Sequence, residues 1–310
     1  MRTERAEGWN HLQELLFEGA WNDSIGRFRS NWAFRGVAVD DGSLNTSLVR
    51  LGSDYAQRER HLLRNFMKYA HRHVTERKTF WHWLSIAQHH GLPTRLLDWT
   101  YSPLAAMHFA TSATEDCDRD GCIWAVNYRK VVQLLPLPLR RALEEEGADT
   151  FTTDGLANVA ATLDQLASLA PEPFLVFFEP PSLDERIVNQ FALFSVMSRV
   201  ECPVAQWCEA HPDICRKIVL PAAIKWELRD KLDQCNISER VLFPGLDGLC
   251  RWLKRYYTLR ADLADRAGGD LRPIADSRAQ LALPEVGRTR IKKLLRNARH
   301  GRRAGRGKGL

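Results

Sequence analysis

Gln88-His89-His90-Gly91-Leu92-Pro93-Thr94-Arg95-Leu96-Leu97-Asp98-Trp99 is the stretch whose reading decides the fold of this chain. Phe80 to His90 has helical spacing, and Gly91 supplies a left-handed cap with Pro93 just beyond it. Thr94 to Trp99 is too short for a helix and reads as extended chain. Ser102-Pro103 then offers an N-cap and a first-turn proline for a helix through Leu104, Ala105, Met107, Phe109 and Ala110. Packing of Leu96, Leu97 and Trp99 would hold this helix-strand-helix unit rigid, so that Thr94, Arg95, Asp98, Thr100 and Ser102 project at defined positions. Each residue also has a local use: Arg95 can pair with Asp98, Ser102 can serve only as a cap, and the histidines can bond to backbone.

Working outward, residues 3–18 place Trp9, Leu12, Leu15 and Leu16 at helical spacing, and residues 55–74 do the same with Tyr55, Leu62, Phe66, Tyr69 and Val74. Between them Trp32-Ala33-Phe34-Arg35-Gly36-Val37 reads as a short strand before the turn Asp40-Asp41-Gly42. Further strands are expected at 121–128, 173–178, 191–197 and 217–220, with helices at 222–235 and 246–257. Residues 139–169 are rich in Ala and Glu and read as a helical insertion. The order lacks the regular alternation of a doubly wound sheet. The expected class is α+β, a mixed, mainly antiparallel sheet core flanked by helices.

The chain has 310 residues and a formal net charge of +6, but the charge is unevenly placed. From Arg288 to Lys308 there are ten Lys or Arg and no acid, which leaves 34 basic against 38 acidic residues elsewhere. A mildly acidic body of residues 1–258 is therefore expected to carry a basic, flexible tail of residues 259–310. Rich in Arg, Gly and Ala without aromatic residues, the segment 288–308 suits nonspecific contact with nucleic acid or an acidic partner. No apolar run approaches a membrane span, and the polar start Met1-Arg2-Thr3-Glu4-Arg5 does not read as a secretory signal, so a cytoplasmic location without membrane contact is expected. The seven scattered cysteines contain no Cys-x-x-Cys pair, which argues against a disulfide framework and a zinc ribbon. Among His82, His89, His90 and His108 no pair has helical ligand spacing for one ion, so no metal is expected.

Arg35 is the other residue that asks for an explanation, because a permanently charged fork at the end of an apolar strand needs an anionic partner. Asp98, Glu59, or the phosphate or ribose of a bound nucleotide could supply it. Glu59 and Arg64 otherwise read as solvated charges of their helix.

Several motifs together resemble the FRG domain family, named for Phe-Arg-Gly. They are Trp32-Ala33-Phe34-Arg35-Gly36, Gln88 to Thr100 with Ser102-Pro103-Leu104-Ala105-Ala106, Gly121-Cys122-Ile123-Trp124, Glu185-Arg186-Ile187-Val188-Asn189-Gln190 with Phe194, and Leu242 to Leu249. The order of these motifs also resembles the three-part layout of ADP-ribosyltransferases. That resemblance implies an ADP-ribosyltransferase-like fold, NAD as substrate and a macromolecular acceptor, as in a toxin or defence effector. It gives Arg35, Asp98 and Gln190 catalytic roles, and it assigns Arg35, His90, Thr94, Arg95, Thr100 and Ser102 to the nucleotide. Gln190 stands where the layout places a glutamate, so Asp98 becomes a candidate for the missing charge and Glu185 would need a bulge or turn to reach the pocket. The rival readings are a module that binds a nucleotide or ADP-ribose without turnover, and a nucleic-acid-binding effector in which the histidine-rich motif does hydrolytic work.

Overall fold

The computed structural model describes residues 1–74 and 79–258. The basic segment 288–308 and the expected tail of residues 259–310 lie outside the described residues. Met1–Tyr256 form one unit.

The chain begins with a short strand β1 (Arg2–Arg5) followed by α1 (Trp9–Phe17), then a small hairpin of β2 (Trp21–Asn22) and β3 (Arg27–Phe28). The single helix expected over residues 3–18 is therefore a strand plus a helix. Arg-Thr-Glu-Arg carries no apolar alternation, and it becomes a strand because it pairs in parallel with residues 216–219, in the last strand of the chain's sheet. β4 (Trp32–Val37) carries the Phe-Arg-Gly triplet and leads through a long connection to α2 (Tyr55–Ala70) and α3 (Phe80–His89). Gly91, at φ +82°, ends α3 and redirects the chain into β5 (Leu97–Thr100). Ser102 Oγ accepts from the Ala105 N–H and starts α4 (Pro103–Thr111), as its sequence predicts.

β6 (Gly121–Asn127) is followed by α5 (Tyr128–Val132) and α6 (Leu137–Glu146). The expected helical insertion holds a surprise, because β7 (Phe151–Thr152) interrupts it before α7 (Thr153–Val159) and α8 (Leu163–Ser168). Two residues are too few to show a strand period, so only their parallel pairing with the next strand reveals them. That strand is β8 (Leu175–Glu179), after which come α9 (Glu185–Asn189), β9 (Ala192–Met197), α10 (Val204–Ala210) and β10 (Cys215–Leu220). The unit closes with α11 (Ala222–Gln234), α12 (Glu239–Leu242) and α13 (Leu246–Tyr256).

Eight strands form one sheet in the order β1-β10-β6-β4-β5-β9-β8-β7. Its two outermost pairings are parallel and the inner ones are antiparallel, which makes it the mixed, mainly antiparallel sheet expected. Alternation along β4 and β6 sends Phe34, Ile123 and Ala125 to one face, where they pack with residues of α1, α4 and α11. Ala33, Cys122, Trp124 and Val126 face the other core, shared with α3 and the helices of 128–170. Phe34 is fully buried, a contribution of roughly 2–3 kcal/mol. Gly36 shows why a glycine follows Arg35: a Cβ there would stand 1.8 Å from the Ala106 carbonyl oxygen and 2.7 Å from the Ala110 nitrogen of α4. All seven cysteines are free.

Candidate functional site

The sheet is not evenly paired. β4 matches β6 at six register positions and β5 matches β9 at four, whereas β4 and β5 meet only at Phe34 and Thr100. Beyond that bridge the two strands part, and the gap between them is the wall of a cleft of about 610 Å³. A pocket of this size falls in the range used for small-molecule and cofactor binding. Side chains from β4, β5, α9 and the end of α3 surround it.

Arg35 reaches across the gap. Its Nη1 donates to the Asp98 carbonyl at 2.6 Å, taking the place of a ladder bond the parted strands cannot make, and stands 3.7 Å from Asp98 Oδ2. Desolvation lowers the Arg35 pKa and the Asp98 carboxylate opposes that shift, but a guanidinium this basic stays charged. Asp98 is 57% exposed at its side chain, so its carboxylate is open to the cleft. A chain of hydrogen bonds fixes it from behind: Thr94 Oγ1 donates to Gln88 Oε1 at 2.6 Å, and Gln88 Nε2 donates to Asp98 Oδ2 at 2.9 Å. Thr94 thereby sets the orientation of the Gln88 amide, and Gln88 that of the carboxylate.

Gln190 enters from the C-terminal end of α9. Its Nε2 donates to the Leu242 carbonyl at 2.9 Å, while neighbouring Asn189 Nδ2 donates to the Val241 carbonyl at 2.9 Å, so α12 clips α9 in place. Thr100 Oγ1 donates to the Gln190 carbonyl at 2.6 Å and accepts from the Ser102 N–H at 2.9 Å. Phe191, the residue after Gln190, has φ +49°, an uncommon conformation for a bulky side chain.

Arg35, Asp98, Thr100, Gln190 and His90 all line this one cleft. Thr94, Arg95 and Ser102, expected at the nucleotide, do not. Thr94 is buried behind Gln88, and Ser102 uses its hydroxyl to cap α4. Arg95 turns the other way and forms a two-pronged ion pair with Glu59, its Nε at 2.8 and 2.9 Å from the two carboxylate oxygens and its Nη2 against Oε2. Glu59, considered above as a partner of Arg35, thus holds Arg95 instead, and Asp98 does not pair with Arg95. Both members are nearly buried, at 12% and 4% side-chain exposure, so the pair fastens α2 to the strand entry. Glu185, the alternative acid, is exposed in the first turn of α9 and does not line the cleft.

Two features were not visible in the local sequence. Arg186 of α9 lines the cleft, lies over the Phe243 ring at 5.0 Å, and has a buried Nε with no hydrogen-bond partner. His89 Nε2 stands 2.6 Å from Asp184 Oδ2, joining the end of α3 to the cap of α9. Asp184 Oδ1 also accepts from the Ile187 N–H at 3.1 Å. Burial pushes the Asp184 carboxyl up, but the bonds from Ile187 and His89 outweigh it, so its pKa lies below the usual carboxylate value.

The span that contains β4, the Gln88–Trp99 stretch and α4 also matches a known family. Residues 30–119 match the FRG domain. No curated protein and no solved structure matches the chain. The FRG match includes Arg35, Gln88 to Gly91, Asp98 to Thr100 and Phe109, one side of the cleft, whereas Arg186, Gln190, Ala192 and Phe194 of the opposite side follow it in sequence. Among the described residues, no helix is long and apolar enough to cross a membrane.

Proposed function

We propose that the FRG domain binds NAD in the cleft between β4 and β5 and acts as an ADP-ribosyltransferase-like domain on a macromolecular target. The observation that carries this reading is the convergence of Arg35, Asp98, Thr100 and Gln190 on one cleft of about 610 Å³. Among the described residues, two permanent cations, Arg35 and Arg186, and one carboxylate, Asp98, line the cleft, an arrangement suited to a diphosphate. The buried, unpartnered Nε of Arg186 is a donor that such a ligand would satisfy. Cleavage of the bond between ribose and nicotinamide builds positive charge on the sugar, and Asp98 is the cleft carboxylate that would stabilise it. Gln190 donates its Nε2 to Leu242, which leaves Oε1 to accept from a ribose hydroxyl.

Gln190 also favours a second reading, since an amide stabilises the developing charge less than a glutamate would. In that reading the domain holds NAD or an ADP-ribose-like ligand without turnover. Incubation with NAD labelled separately in its nicotinamide and adenylate parts distinguishes the two. Nicotinamide release with label transfer, both lost in Arg35→Ala, supports transfer. Saturable binding without release supports the module, and absence of binding refutes both.

The basic residues Arg288 to Lys308 extend the proposal to location: they would bring the domain to nucleic acid or an acidic partner. Affinity for nucleic acid that falls steeply with salt and vanishes on deletion of residues 286–310 is the expected result.

A further inference from the structure

We infer that His89 and Asp184 form a general-base dyad that activates an O–H nucleophile for attack on the ligand in the cleft. The inference rests on the reading of the cleft as an NAD site and deepens it by naming the acceptor class. The first observation is geometric. His89 lines the cleft, and its Nε2 is engaged by Asp184 Oδ2 at 2.6 Å. The carboxylate is itself held, because its other oxygen caps α9 through the Ile187 N–H. A fixed carboxylate on one ring nitrogen holds the imidazole orientation and places the proton on that nitrogen, which leaves the other with its lone pair.

The second observation concerns that other nitrogen. His89 Nδ1 makes no hydrogen bond within the described residues, and it is not among the buried polar atoms that lack a partner. It therefore keeps solvent access on a residue that lines the cleft, where a proton donor can reach it. His108, by contrast, has its Nδ1 engaged by Arg229 and its Nε2 sealed in the core, so it cannot serve. His82 is likewise buried with a sealed Nε2.

The chemistry balances with the groups in hand. The acceptor oxygen forms a bond to the ribose carbon as the bond from that carbon to the pyridinium nitrogen breaks, and the bonding pair leaves on neutral nicotinamide. The O–H proton moves to His89 Nδ1, and the imidazolium so formed is stabilised by Asp184 until solvent takes the proton. A carboxylate acceptor has no proton to lose and needs no base, whereas an alcohol or water must give one up as it attacks, so the dyad fits an O–H acceptor rather than a carboxylate. An alcohol side chain gives a modified protein, and water gives free ADP-ribose.

The test has two arms on the full chain. In the first, long-range proton-nitrogen NMR of the His89 ring, at a pH where the imidazole is neutral, should show the Nε2–H form with an unprotonated Nδ1. Asp184→Asn should let the two tautomers mix. A dominant Nδ1–H form in the wild-type protein overturns the proposal whether or not NAD is a substrate. In the second, His89→Gln should lower nicotinamide release by about 10²- to 10⁴-fold with NAD affinity within threefold of wild type. Asp184→Asn should reduce turnover without raising KM, and imidazole added to His89→Gly should restore part of the rate. Full turnover in His89→Gln makes the pair a helix fastener only and refutes the dyad. Loss of NAD binding by the wild-type protein instead refutes the NAD reading, and the NMR arm then decides the dyad alone.

Discussion

Substitution Gly36→Ala gives the sharpest prediction about how the FRG triplet builds the cleft. The added Cβ would sit 1.8 Å from the Ala106 oxygen and 2.7 Å from the Ala110 nitrogen, the two ends of one backbone hydrogen bond within α4. Real Cβ atoms do not approach closer than 3.0 Å, so β4 and α4 must separate by about 1.2 Å along that line. Neither side can yield by rotating a side chain, because both contacts are backbone. Overpacking of this kind typically costs about 1–3 kcal/mol, and contacts that are all backbone put this one at the upper end, a large share of the roughly 5–15 kcal/mol that stabilises a typical domain. The shift also carries Arg35, whose 2.6 Å bond to the Asp98 carbonyl bridges the parted strands. A misplacement near 1 Å can cost on the order of 10²-fold in a reaction that depends on position. Urea unfolding followed by tryptophan fluorescence should show a lowered midpoint at unchanged slope. Gly91→Ala is the control, since it strains φ +82° in open space and should cost only about 1–2 kcal/mol. Gly36→Ala within 1 kcal/mol of wild type, with unaltered ligand affinity, would refute this account of the triplet.

Three further outcomes follow from single contacts. Glu59→Gln leaves buried Arg95 without its carboxylate and should lower stability by about 3–5 kcal/mol in urea titration, whereas replacing both partners by apolar residues should recover much of the loss. Burial, and then the charge of Arg229, lowers the His108 pKa to about 3, below its unfolded value near 6.5. As pH falls from about 6.5 toward 3 the unfolded chain takes up a proton that the native state refuses, so stability falls by as much as about 1.4 kcal/mol per pH unit. His108→Asn, which keeps an acceptor for Arg229, should flatten the stability profile between pH 6 and 5, about one unit above the carboxylate range; an unchanged profile would show that His108 does not contribute. Phe191→Gly relieves a left-handed φ of +49° at an exposed side chain and should leave the melting temperature unchanged or raise it, and a clear drop would mean that the ring packs usefully.

Elements that announce themselves through local chemistry were legible in the sequence. Gly91 and Ser102 act where their residue types suggest, and the Gly121 and Phe191 strands form in the order expected. β1 and β7 were hidden because each is defined by its partner, β10 and β8, and neither has a period of its own. The same division runs through the site. Motif order brought Arg35, Asp98 and Gln190 to one cleft, since strands β4, β5 and β9 are neighbours. Pairings were less accessible. Glu59 lies on the helix after the triplet, which made Arg35 a natural partner, but it holds Arg95, 36 residues away in sequence. Asp184 meets His89 across 95 residues, and nothing in either neighbourhood encodes that contact.

The measurement that tests the central claim most directly is calorimetric titration of the full chain with NAD, followed by the same titration of Arg35→Met and Arg186→Met. One saturable site is expected, with affinity reduced at least tenfold in each variant, and Arg186→Met, which loses its contact with the Phe243 ring but no hydrogen bond at its buried Nε, should cost no more than about 0.5–1 kcal/mol of stability. Absence of NAD binding, or binding indifferent to both arginines, would contradict the assignment of the cleft between β4 and β5.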